Sequence, residues 1–101
     1  MSRTFTTVGA LIEAAHRSRD GVMHGHTWTV WARFDWEDGH RDAIVLQKRL
    51  EGICSRWDHG ELPDSLAWAE ELAKGIASVL GDADYVRVER TARMLVAEWF
   101  A

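Results

Sequence analysis

Residues 23–34 alternate in a way that only a strand satisfies. His24, His26, Trp28, Val30 and Ala32 fall on one face, and Thr27, Thr29, Trp31 and Arg33 on the other. The first face begins with an H-x-H pair, so the imidazoles of His24 and His26 point the same way. Gly25 between them faces away and leaves room for close packing behind. His16 lies just upstream, and residues 17–23 can turn the chain back and bring a third imidazole beside the pair. Three neutral imidazoles with an open fourth position are the usual ligand set of a catalytic zinc. Cupin barrels also carry H-x-H on a strand, but they require a glutamate a few residues later. Here the next glutamate is Glu37, and helical segments follow, which an all-strand barrel does not accommodate.

The remaining patterns give the other elements. Residues 4–15 are rich in Thr and Val and read as the strand preceding this one, and Glu37-Asp38-Gly39 is a turn. From Asp42 the period becomes helical, with Leu46, Leu50, Ile53, Cys54 and Trp57 at three- and four-residue steps. A second helix is expected to begin near Asp64 or Ser65, just after Pro63. Its apolar line runs through Leu66, Ala69, Leu72, Ala73, Ile76 and Leu80 and stops at Gly81. Residues 85–89 and 94–99 form two closing strands joined around Thr91-Ala92-Arg93. The order ββααββ predicts an α+β domain, an antiparallel four-stranded sheet with two helices on one face. The sheet's open edges are ones that oligomerisation could satisfy.

Residues 1–101 are expected to form a single domain with one core. A hydrophobic content of 47% argues for a folded chain, and six tryptophans suggest contact with a partner subunit beyond filling a small core. The formal charge of −4 and the absence of a basic run argue against nucleic-acid binding. No apolar stretch approaches a membrane span. Cys54 is the only cysteine, so no internal disulfide is possible and the cytoplasm is the default compartment. It lies within the helical apolar stripe and reads as a packed thiol rather than a nucleophile.

Taken together, these motifs resemble the 6-pyruvoyltetrahydropterin synthase and 6-carboxytetrahydropterin synthase family. Glu13-Ala14-Ala15-His16-Arg17 followed by His24-Gly25-His26-Thr27-Trp28 is similar to its zinc signature, and Asp58-His59 with Leu62 and Asp64 to its D-H-x-x-L-x-D segment. Glu70-Glu71-Leu72-Ala73 resembles its E-x-L-A, Val86-Arg87-Val88 with Thr91 its V-x-V-x-E-T strand, and Asp42 its helix-opening aspartate. The resemblance implies a tunnelling fold, in which subunits join their sheets into a barrel as trimers or hexamers with sites at the interfaces. It implies zinc on His16, His24 and His26, and a pterin substrate, 7,8-dihydroneopterin triphosphate. It also implies proton transfer by Asp58 and His59, and substrate contacts by Glu70 and the residue at position 90. By itself Asp58-His59 reads as a solvated polar pair at a helix end; in this register it reads as an acid/base pair.

Two positions depart from the family pattern. Asp20 stands where the catalytic cysteine is expected, four residues before the H-G-H. A carboxylate there is a candidate base, since one subgroup uses glutamate; the same residue also suits an Asp-Gly turn. Arg90 stands where a glutamate clamps the pterin ring, and a guanidinium offers only donors where that glutamate accepts. Glu89 is adjacent but faces the opposite side of a regular strand. Three readings follow: a zinc-dependent pterin-processing lyase, a homolog that keeps zinc and oligomer and binds a different, anionic ligand through Arg90, or a metal-stapled oligomer without a ligand.

Overall fold

The computed structural model describes residues 2–17, 23–39, 42–63, 66 and 68–101, with the backbone only of His16, Arg17 and His24. Two long strands, β1 (Phe5–Arg17) and β2 (Met23–Asp35), pair antiparallel throughout, from Phe5 opposite Asp35 to Arg17 opposite Met23. After a 3-10 turn at Trp36–Asp38 come the helices α1 (Ala43–Cys54) and α2 (Ala69–Leu80). Two short strands follow, β3 (Tyr85–Arg90) and β4 (Leu95–Phe100), linked by a 3-10 turn at Thr91–Arg93. The sheet order is β1-β2-β3-β4, antiparallel at every step.

The alternation read from residues 23–34 sets the layers. Trp28, Val30, Ala32 and Phe34 are buried on one face of β2, beside Ile12 of β1 and Val86 and Val88 of β3. Onto this face α1 delivers Leu46, Leu50 and Cys54, and α2 delivers Leu72, Ala73, Ile76, Ala77 and Leu80. Each fully buried aliphatic side chain contributes about 1.5–3 kcal/mol relative to exposure. Helix α1 lies mainly over β1, and α2 over β3 and β4. Asp42 caps α1, its Oδ1 accepting from the Ile44 and Val45 amides at 3.1 and 3.2 Å. Helix α2 ends at Gly81, whose φ of 78° is the left-handed stop that glycine permits.

The start of α2 differs from the sequence expectation. It begins at Ala69, with Trp68 in extended conformation at the cap position and no side-chain cap bond. The Leu66 amide instead closes a separate turn onto the Pro63 carbonyl at 2.9 Å. Asp64 and Ser65, the expected caps, lie outside the described residues. The helix opens where Glu70 and Glu71 meet the positive end of the helix dipole and where the buried stripe from Leu72 begins.

The other sheet face is uncovered and polar-aromatic. The Trp31 ring packs against Gly9, where a Cβ would stand 2.7 Å from it, so a larger residue there would have to displace the ring. Trp31 Nε1 donates to Glu89 Oε1 at 3.1 Å, and Arg87 Nε donates to the same oxygen at 2.9 Å. The tryptophans divide between layers: Trp28 is in the core, Trp57 and Trp99 pack against it, and Trp31, Trp36 and Trp68 are exposed. Among the described residues, no helix is long and apolar enough to cross a membrane.

Candidate active site

The β1–β2 hairpin extends beyond the rest of the sheet. Strand β3 pairs only with Thr29–Arg33 of β2, whereas β1 accompanies β2 out to Met23. His16 lies directly opposite His24 in this register, and Ala14 opposite His26. Positions 16, 24 and 26 are therefore adjacent on the two strands, with the parity of Ile12, Ala14 and Trp28. His26 is half-buried; its Nε2 atom is buried, and its ring meets the Trp28 ring edge-on at 5.2 Å. The pairing sets three histidine positions together, and imidazole is a donor type that fits a divalent transition metal. Gly25 does not serve the packing expected of it: it is exposed, and among the described residues a Cβ there would meet only the Ala14 carbonyl oxygen, at an ordinary 3.8 Å.

Asp58 and His59 reach this end of the hairpin by a route the sequence does not announce. After α1 the chain turns, and residues 58–62 run along the outer edge of β1. The His59 amide donates to the Glu13 carbonyl at 2.5 Å, the Ala15 amide to the Gly60 carbonyl at 2.8 Å, and the Leu62 amide to the Ala15 carbonyl at 2.7 Å. Ala15 and Glu61 form a parallel bridge. Asp58 Oδ1 accepts the Glu13 amide at 2.9 Å, and this bond, supplemented by His59, holds the Asp58 carboxyl below the usual carboxylate range. His59 occupies the left-handed region at φ 59°, an uncommon conformation for a non-glycine residue. Its ring stands between two carboxylates, with Nδ1 3.1 Å from Asp58 Oδ2 and Nε2 3.3 Å from Glu13 Oε2. A cavity of about 440 Å³ lies here, lined by Glu13, His26, Thr27, His59 and Gly60 among others.

A second cavity, of about 860 Å³, opens on the other side of the β2 extension, where Thr27, Thr29 and His26 face Arg90, Thr91 and Arg93. Arg90 is half-buried; desolvation first, and then the nearby Arg93, lower its pKa. Glu89, on the opposite face as its parity requires, is engaged by Trp31 and Arg87.

Of the site residues expected from sequence, His26, Asp58-His59 and Arg90 thus gather around the extended hairpin, with His26 in the wall of both cavities. Glu70 is exposed in the first turn of α2 and lines neither cavity. Asp20 and the side chains of His16 and His24 lie outside what the structure describes. Glu13, Thr27 and Arg93 were not singled out as site residues by the sequence. For Glu13 and Thr27 the one available signal was the strand parity that sets them opposite each other; Arg93 had none. Cys54 is a packed thiol as read: it is buried, and burial, with Asp58 and Glu51 nearby, pushes its pKa up to about 12. An acidic group at the far end of β2, Asp35, Asp38 and Asp84, brings carboxylate oxygens within 4.8 Å of one another. Arg3 and the Glu37 amide already engage Asp35 there.

In sequence, the chain matches no protein-family model and no curated protein. In structure it is similar to 6-pyruvoyl tetrahydropterin synthase from Caenorhabditis elegans, with a TM-score of 0.68 at 18% identity, covering 100% of this chain and 97% of that one. It is similar also to 6-pyruvoyl tetrahydropterin synthase from Plasmodium falciparum, with a TM-score of 0.64 at 15% identity and 100% of both chains covered. The sheet and helices are therefore those of the tunnelling fold. At these identities the likeness is one of fold.

Proposed function

We propose that this chain is a zinc-dependent pterin-processing lyase of the 6-pyruvoyl-/6-carboxytetrahydropterin synthase type, acting on 7,8-dihydroneopterin triphosphate or a related compound. The observation that carries this reading is the hairpin register. It sets positions 16, 24 and 26 together on the same projecting end of the sheet that receives Asp58 and His59, in a fold shared with two pterin synthases.

His16, His24 and His26 would hold the zinc, which when bound supplies Lewis-acid polarisation of oxygens on the substrate's side chain. The chain's own groups supply proton transfer. Asp58, held below the usual carboxylate range by the Glu13 amide, orients His59 through Nδ1. That leaves Nε2 toward Glu13 as the atom that takes or gives a proton. Asp20 is the proposed second base in place of a cysteine. Glu70 stays in the proposed substrate-binding set on its motif alone, and Arg90 on its position in the second cavity's wall. The proposed state is a cytoplasmic, single-domain chain assembled into trimers or hexamers. Exposed Trp31, Phe100, Leu95 and Val96 on the uncovered sheet face and last strand support assembly.

The test is turnover of 7,8-dihydroneopterin triphosphate by protein whose zinc content is measured on the same sample. Conversion to a tetrahydropterin product, abolished in His59→Ala with zinc retained, is the expected result. No conversion at full zinc occupancy contradicts the lyase reading. The alternative, an altered or inactive homolog binding another ligand, is favoured by one feature: the guanidinium of Arg90 in the wall of the second cavity.

A further inference from the structure

The notch beside β2 has a chemistry of its own. The outward backbone groups of Glu13 and Ala15 are taken by residues 58–62, so in each antiparallel pair their partners Thr27 and Gly25 point their N–H and C=O groups the opposite way. That side is where β3 has already ended, and the Thr91–Arg93 turn stands across the gap. The notch is thus bordered by the strand amides of Gly25 and Thr27, and Thr29, Thr91, His26, Arg90 and Arg93 are among the residues that line it. Among the described residues no carboxylate lines it, although the chain as a whole is acidic at −4. The neighbouring carboxylate, Glu89, is committed to Trp31 and Arg87 on the other face.

Two arginines converge here, one of them half-buried, with no acidic partner among the described residues. Burying an unneutralised guanidinium is unfavourable, and a second one nearby adds repulsion; both lower the pKa of Arg90. A bound anion would relieve both costs, and the guanidinium fork matches a planar or tetrahedral oxyanion.

We propose that this notch is an oxyanion site, in which Arg90 and Arg93 bind a carboxylate or phosphate group of a small molecule whose other end reaches His26. The inference adds a ligand class to the proposed function and rests on that reading only in taking the hairpin end as the substrate site. It requires neither zinc nor a pterin ring.

The test is an amide-shift titration of isotope-labelled protein, zinc-loaded and zinc-stripped, with inorganic phosphate and with benzoate at constant ionic strength. Saturable shifts at Gly25, Thr27 and Thr91 are expected in both metal states. Arg90→Gln and Arg93→Gln should each weaken binding roughly ten- to a hundredfold, the worth of a charged hydrogen bond, while Arg90→Lys retains part of it. Tighter binding of phosphate assigns a phosphorylated ligand, and tighter binding of benzoate a carboxylate; either supports the site. Unchanged affinity in the double Arg→Gln variant overturns it, as does absence of saturable shifts. Binding that vanishes with zinc but ignores both arginines also overturns it and leaves the lyase reading standing. Arginine-dependent binding in a protein that holds no zinc supports the site and contradicts the lyase reading.

Discussion

Strand β2 carries two regions on one face. From Phe34 to Trp28 every inward position is apolar and at most 1% exposed, closed over by α1 and α2. Beyond Trp28 the same parity continues as His26 and His24, where β3 has ended and cavities open on either side. The strand does not change; the cover does. Where helices cover the face, the hydrophobic effect dictates side chains and each supports stability. Where the hairpin overruns its neighbours, stability makes few demands and the positions are available for chemistry. Stability and chemistry should therefore separate along β2 at the Trp28–His26 step.

The largest expected effect lies on the covered side. Trp28→Ala should cost about 3–5 kcal/mol of stability, read from urea or thermal unfolding. His26→Ala, two residues along the same face, should cost about 1 kcal/mol in metal-free protein while removing the bound metal. Equal losses of stability would break the distinction.

A second test separates backbone from imidazole. Because His59 adopts a left-handed φ, His59→Gly should leave stability unchanged or raise it by up to about 1 kcal/mol, yet abolish turnover. A large stability loss would mean that the ring, flanked by Asp58 and Glu13, is structural.

Cys54 tests the covered side from within. With its thiol pKa pushed up from 9.0 to about 12, the folded state prefers the protonated form. That contribution is whole below pH 9 and is lost as pH rises toward 12, so thermal stability should fall across that range. At neutral pH a thiol reagent should label Cys54 only as fast as the protein unfolds; rapid labelling would show that the α1 face is open.

The smallest effect concerns Asp58. Its lowered pKa means that the bond to the Glu13 amide stabilises the fold above the ordinary carboxylate pKa and lets go as pH falls through the folded value. Asp58→Asn should flatten the acid side of the stability profile slightly; an unchanged profile would remove this clamp from the account.

What could be read from the sequence followed the same division. Period-two and helical patterns found all four strands and both helices, because burial writes itself into periodicity. The start of α2 was misplaced because the Leu66 amide closes back onto the Pro63 carbonyl, while the helix waits for the stripe at Leu72. The H-x-H pair and His16 were visible because parity and local spacing carry them. Glu13 beside His59 was not, since the contact joins β1 to the segment after α1, far apart along the chain. Arg93 joined Arg90 only once the hairpin was known to overrun β3. Local pattern reveals elements; a site assembled by one element outrunning another needs the fold.

The most direct test of the account is the zinc content per chain of purified protein, measured beside His24→Ala and His26→Ala. One zinc per chain in the native protein and none in either variant is the predicted result. A native chain without zinc, or full zinc in either variant, would contradict it.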